Sequence, residues 1–447
     1  MAALSSKRSS ENSFIYQNLF SFLKVKAEDL YLFFGLLLFR LLCDSSYLIV
    51  KLVFNYENPF IYDPTLISQI ISWLFLLSLF PLIFKVYRKK TLSCNVIFLL
   101  SLIALIPSTS LIGANSYYSA TFIFLSYAYW FLLLSLCIKI PMINLDYFRG
   151  IRSEYFYNFI LFIMCISVIY LSWTNTGFRF IFNILDSQLI YDTRLEAREY
   201  GGIPFLGYLI HAADNLLPIL MIYLFSRGKK IIALFVGLII LLNFGITASK
   251  QLFLLLCIVF FSYLFIKEYS LQRFFLFGAI LVTFFSIVEF YLLNTAITSM
   301  FSTYRIFFIP AKYHYIYFEF FSIFEPDYFR QSFLRIFFDS PYERSLHMVL
   351  ADFHNRDYYA RANVGLLSDA IMNLGYIGAF IFPILLIMVL KLLDGASKGL
   401  APSVLFMTTI CLSFLFLNLN LTIALITGGV IFMIPILYSL PRKGEIN

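Results

Sequence analysis

The sequence predicts an all-α polytopic membrane protein, with about twelve transmembrane helices and two enlarged external loops. Three observations carry this. The 447 residues are 61% hydrophobic and 13% charged, with a mean hydropathy of +0.85, outside the range of soluble domains. Apolar runs of about 20 residues, long enough to cross a hydrocarbon core, recur along the whole chain. The segments between them alternate in charge: one set holds 20 of the 33 basic residues against 8 acids, the opposite set 10 bases and 14 acids.

The runs fall near 30–54, 66–84, 95–113, 120–138, 156–174, 204–226, 231–248, 251–266, 274–294, 371–390, 402–419 and 423–440. The positive-inside rule then puts both termini in the cytoplasm. The polar N-terminus leads into a full-length span, so no cleavable signal peptide is expected. The basic balance is a topology signal and gives no support to nucleic-acid binding. The 54 Phe and 31 Tyr mostly suit lipid contact, and such rings also make platforms on which sugars stack. The six cysteines lie in or at the ends of spans without paired spacing, which reads as packing. The four histidines form no metal-binding cluster, so no metal is expected.

The chain reads as one integral membrane domain, residues 1–447, with two long outward connections, 176–203 and 295–370. Long loops in a compact fold are usually functional. In the first, Thr193 and Glu196 have capping-box spacing, which predicts a helix beginning there. Gly201-Gly202 would end it, and Pro204 would open the next span. Arg194 and Arg198 then share a face. Two guanidiniums on one face suit a diphosphate; the competing reading is an exposed helix with local pairs to Glu196 and Glu199.

The second loop opens with Tyr304-Arg305-Ile306-Phe307-Phe308-Ile309-Pro310. Tyr313, Tyr317 and Phe320 follow at helical spacing, predicting an interfacial helix with its aromatic side down on the membrane. Arg305 stands at its entrance. Within spans, Arg40, Asp44 and Lys51 share a helical face, with Arg40–Asp44 expected as an i,i+4 pair. Asp214 with His211, Lys250 and Glu289 fall at one outer membrane level, where a cavity would be lined.

At these residues the chain resembles the O-antigen polymerase family of bacterial envelopes. The matching features are the Arg-Ile-x-x-x-Pro run at Arg305–Pro310, Ser249-Lys250 opening a span, and Asn363-x-Gly365 with Asp369 and Gly375-Tyr376-Ile377-Gly378. They cover roughly residues 175–395. The resemblance implies a fold similar to the GT-C glycosyltransferases, in the bacterial inner membrane, with an active site facing the periplasm and no metal or cofactor. It implies transfer of a glycan from undecaprenyl diphosphate to the non-reducing end of another lipid-linked repeat unit. Partners would be those lipid-linked oligosaccharides, membrane lipids and the chain-length regulator beside which such polymerases usually work. Arg305, Arg194, Arg198 and Lys250 would hold the diphosphate. Tyr313, Tyr317, Asn363 and Asp369 would contact glycan or lipid. Asp214, Glu289, His314 and Glu196 are the candidates for a base.

Three other readings compete. An O-antigen ligase shares the donor but transfers to lipid A core, using a loop histidine such as His314, His347 or His354. A polyprenyl-phosphate sugar transferase needs paired acids in the first external loop, where Glu57 and Asp63 stand apart. A flippase or transporter of lipid-linked glycans should show internal repeats and short outer loops, and neither is apparent.

Overall fold

Each apolar run becomes a helix, and hydroxyl side chains open several of them. The computed structural model describes residues 2–54, 60–145, 153–181, 187–199, 204–266, 271–353 and 364–442, with side chains from residue 27 onward except at 187, 188, 191, 194, 198, 199, 204–206 and 250. The first helix, α1, covers Ala2–Phe54. Thr65 and Ser68 form a reciprocal capping box at the start of α2 (Leu66–Arg88). Thr91 caps α3 (Leu92–Ala114) by accepting from Cys94 N–H. Ser119 does the same for α4 (Ala120–Lys139), and Ser153 for α5 (Glu154–Thr176). These bonds satisfy backbone donors that a helix start otherwise leaves open.

The chain continues through α6 (Ser187–Glu199), α7 (Pro204–Ser226), α8 (Lys230–Thr247), α9 (Lys250–Phe265) and α10 (Leu271–Leu293). A continuous helical stretch over 297–323, here α11, and the short α12 (Leu346–Phe353) follow. The last elements are α13 (Leu367–Ser397), α14 (Pro402–Asn418), α15 (Leu421–Ile426) and α16 (Val430–Ser439). Ten helices among the described residues are long and apolar enough to cross a membrane, α15 and α16 counting together. Twelve were expected. The two remaining apolar runs form shorter helices, Gln251–Phe265 and Pro402–Asn418.

Helix α3 is the central post: 89% of its apolar window is buried, against 17% for α10 at the rim. It packs on α2, α4, α10, α13 and α14. At the end of the bundle where α3 begins, Asp394 accepts from both the N–H (2.7 Å) and the hydroxyl (2.6 Å) of Ser93. Lys391 lies 3.2 Å from the same carboxylate, both side chains buried. Lys391 belongs by count to the basic loops, yet it sits inside the bundle. Arg442 donates to the Ala396 (2.7 Å) and Lys398 (2.8 Å) carbonyls, closing open ends of α13.

The opposite end gathers Phe54, Ala114, Ala120 and the start of α13, and α11 lies across it. Tyr304 stacks on Phe54 at 4.3 Å, Tyr315 meets Tyr118 at 4.5 Å, and Phe318 stacks on Tyr376 at 5.6 Å. We call this the capped end.

Helix α13 is broken at Gly375, whose φ of +58° is one that side-chain-bearing residues rarely adopt. The Met372 and Asn373 carbonyls freed there accept from Asp327 N–H (2.8 Å) and Tyr328 N–H (3.1 Å). Just past the break, a Cβ on Gly378 would stand 1.9 Å from the Ala370 carbonyl oxygen. The two glycines read from the sequence as a motif thus let α13 fold tightly on itself. Gly378→Ala is expected to lower stability by about 1–3 kcal/mol, as overpacking does, read as a reduced melting temperature of the purified protein.

Candidate functional site

Helix α11 carries most of the side chains that the sequence singles out in the second loop. Its start is fixed by Glu289 at the end of α10. That carboxylate accepts from Ile297 N–H (2.7 Å), Thr298 N–H (2.8 Å) and the Thr295 hydroxyl (2.7 Å). Both oxygens are therefore occupied in capping α11. Glu289, a candidate base on sequence grounds, is a cap because the chain turns back on it at Asn294.

Residues Met300–Phe308 then adopt a π-helix, a widened form that recurs at functional sites. Pro310 follows in the first turn of the α-helical part, where its missing N–H costs nothing. In the π-helical part Tyr304, Phe307 and Phe308 are buried. They meet Phe54, Phe39 and Tyr47 respectively. Arg305 points the other way and is exposed, beside Phe301 and Ile297, also exposed. Its guanidinium lies 6.0 Å from the Tyr304 ring, and among the described residues it has no carboxylate partner. A bare cation beside exposed apolar side chains is the distinctive feature of this helix.

The α-helical part of α11 is the predicted aromatic helix, but its aromatic side meets protein. Tyr313 and Tyr317 are 1% and 0% exposed; their rings meet each other, and Tyr317 also meets Phe321 and, through its hydroxyl, His347 of α12. Neither offers a surface on which a sugar could stack, and Phe320, on the same side, is covered by Phe324, Tyr342 and Phe353 of α12. The 324–345 segment is itself organised by Asp327, which accepts from Gln331 N–H (2.8 Å) and the Ser340 hydroxyl (3.0 Å).

His314 is buried, with Nδ1 2.8 Å from the Ser368 hydroxyl and Nε2 without a hydrogen-bond partner among the described residues. Burial holds its imidazole down from 6.5 to about 4, so it is neutral at pH 7. A depressed folded-state pKa means that the unfolded chain binds the proton more readily. Stability is thus full above pH 6.5 and falls by up to about 3 kcal/mol as the pH drops toward 4. His314→Phe should flatten that decline in a series of thermal melts between pH 4 and 7.

Asp369 is also buried and engaged, accepting from Leu421 N–H (2.6 Å) and the Asn373 amide (2.7 Å). It ties the start of α13 to α15. Gly365 permits this closeness, since a Cβ there would lie 2.4 Å from the Phe416 carbonyl oxygen. Asn363 lies outside the described residues, as does His354.

The first loop forms α6, but its helix begins at Ser187, six residues before the expected capping box. Thr193 sits inside the helix and donates back to the Leu189 carbonyl at 2.8 Å. Glu196 pairs with Arg179 at 2.8 Å in place of capping. The backbone of Arg194 and Arg198 is helical, while their side chains lie outside the described residues. So does the Lys250 side chain, whose residue opens α9. Asp214, on α7, accepts from the Asn243 amide of α8 at 2.6 Å. Next to it, Asn215 bonds Gln251 (3.4 Å) and the Gly428 carbonyl (3.3 Å) at the break between α15 and α16.

Asp214, Glu289 and Asp369 therefore stand on α7, α10 and α13, while Arg305 and His314 share α11. No hydrogen bond or ion pair joins Arg305 to any of the four candidate bases among the described residues. One feature escaped the sequence reading: a cavity around Arg40, signalled there only by the in-span charges on α1. No family model, curated protein or solved structure matches this chain.

Proposed function

We propose that this protein polymerises glycan repeat units carried on undecaprenyl diphosphate, at the outer face of the bacterial inner membrane. Arg305 carries the reading. Holding a cation at an apolar surface is costly unless an anion neutralises it, and a guanidinium matches phosphate oxygens in pairs. Ile297 and Phe301, exposed on the same side, suit the prenyl chain attached to such a diphosphate. The π-helix that aims Arg305 outward, and the positive-inside bias that favours an external location for this end, support the same reading. So does the resemblance to O-antigen polymerases at Arg305–Pro310.

In the proposed reaction, the bond between the sugar anomeric carbon and the diphosphate oxygen breaks. A hydroxyl oxygen of a second lipid-linked repeat unit bonds to that carbon, and its proton passes to a base or to water. Undecaprenyl diphosphate departs with the bonding electron pair, and Arg305 stabilises the charge that builds on it. The ligase alternative needs an accessible loop histidine. Of the three candidates, His314 is buried, His347 is half-buried with Nδ1 3.5 Å from the Tyr317 hydroxyl, and His354 lies outside the described residues.

A surface-glycan gel of a deletion strain, complemented with wild type or Arg305→Ala, tests this. A polymerase predicts a ladder with wild type and a single repeat on the lipid core with Arg305→Ala. Loss of all capped core would indicate a ligase, and an undiminished ladder would remove Arg305 from the site.

A further inference from the structure

A cavity of about 170 Å³ lies at the capped end between α1, α2 and α3, lined by Arg40, Asp44, Tyr47, Tyr62, Gln69 and Trp73 among others. Arg40 forms its floor and is 1% exposed. The guanidinium pairs with Asp44. It also donates to the Ser110 hydroxyl (2.8 Å), the Ser72 hydroxyl (3.1 Å) and the Thr109 carbonyl (3.1 Å). It sits 5.0 Å from the Trp73 ring. Its Nε is buried and has no partner among the described residues. Gly113 makes this approach possible, since a Cβ there would lie 2.6 Å from the Ser72 hydroxyl and 3.2 Å from Arg40.

The charge balance narrows the ligand. Asp44 cancels Arg40, and most of the guanidinium's donors are already taken, so the cavity is not built for an anion. What it offers instead is a carboxylate whose side chain is 38% exposed, the exposed Gln69 amide, and the aromatic side chains of Trp73 and Tyr62. Acceptors and donors for hydroxyl groups, beside rings for a C–H face, are what a sugar ring requires. Leu41, also lining the cavity, is 54% exposed, so the mouth opens at the side of the bundle.

The cavity is joined to α11 through one residue. Tyr47 lines it and also meets Phe308, 5.2 Å away, in the π-helical part that bears Arg305. We propose that this cavity binds one neutral sugar ring of a lipid-linked glycan. The proposal rests on the polymerase reading above and adds to it a subsite on α1, α2 and α3.

The test uses the full-length protein in phospholipid nanodiscs, free of glycoside detergents. It is titrated with glucose, galactose, mannose, rhamnose and N-acetylglucosamine. The signal of Trp73 is taken as the difference in tryptophan fluorescence between wild type and Trp73→Phe. At least one sugar should change it saturably, and Gln69→Ala should weaken that sugar's binding about tenfold, the loss of one hydrogen-bonding partner. Gln69 is exposed, so this variant keeps the fold. A flat signal with every sugar, or Gln69→Ala and Tyr62→Ala binding as wild type does, overturns the proposal. A silent cavity with a ladder lost in Arg305→Ala overturns the sugar site alone. A saturable Trp73 response with no ladder in the strain complemented with wild type supports the sugar site and overturns the polymerase reading.

Discussion

If the protein polymerises glycans as proposed, Arg305→Ala should lower the rate of transfer about 10²–10³-fold, the usual effect of removing a donor that stabilises developing charge. The fold should not suffer. Arg305 is exposed and has no carboxylate partner among the described residues, and the packing of its helix rests on Tyr304, Phe307 and Phe308. Arg305→Lys should recover part of the rate, since it keeps the charge but loses the planar fork that engages two phosphate oxygens. Initial rates with the purified variants, beside thermal melts of the same preparations, separate the two effects. A rate loss with an unchanged melting temperature is expected. A melting temperature that falls with the rate would give Arg305 a structural role.

Asp394→Ala should be the most destabilising single change among the charged residues inside the bundle. It leaves Lys391, 4% exposed, as a buried ammonium without its counter-ion, and also strips the Ser93 N–H of its acceptor. Removing one partner of a buried pair costs about 3–5 kcal/mol. The double variant Lys391→Met with Asp394→Leu removes both charges and should melt closer to wild type than Asp394→Ala does. Melting temperatures of the three proteins decide this. If Asp394→Ala melts like wild type, the pair contributes nothing and α3 and α13 are held together by apolar packing alone.

The spans were legible in the sequence because crossing a bilayer demands about 20 apolar residues, a signal local to each run. The Arg40–Asp44 pair was legible for the same reason, as an i,i+4 relation on one helix. What failed to read through depended on partners distant in sequence. Glu196 looked like half of a capping box, but Arg179, 17 residues earlier, takes its carboxylate. Glu289 looked like a base until the chain turned back and placed two backbone N–H groups on it. The spacing of Tyr313, Tyr317 and Phe320 marked a helix with an aromatic side, and spacing alone does not separate a lipid partner from a protein one. The cavity at Arg40 needed three helices to enclose it, with Ser72, Ser110 and Gly113 supplied by two of them.

The same reasoning accounts for the glycines near 375. Their pattern was visible in the sequence, and its cause is mechanical: a left-handed φ at Gly375 and close backbone contact at Gly378. The resemblance to polymerases in this stretch therefore includes residues that serve the break in α13. It gives them no chemistry. Arg305 differs in having no such structural duty among the described residues, which is why the functional reading rests on it.

Reconstituted glycan transfer tests the central claim most directly. Purified protein in liposomes is given a radiolabelled repeat unit on undecaprenyl diphosphate as the only substrate. The products are separated by size, and the freed lipid diphosphate is counted. The account predicts glycans of two or more repeat units, one undecaprenyl diphosphate released for each new glycosidic bond, and rates about 10²–10³-fold lower with Arg305→Ala. Repeat units that stay single in the presence of folded wild-type protein, or wild-type rates with Arg305→Ala, would contradict it.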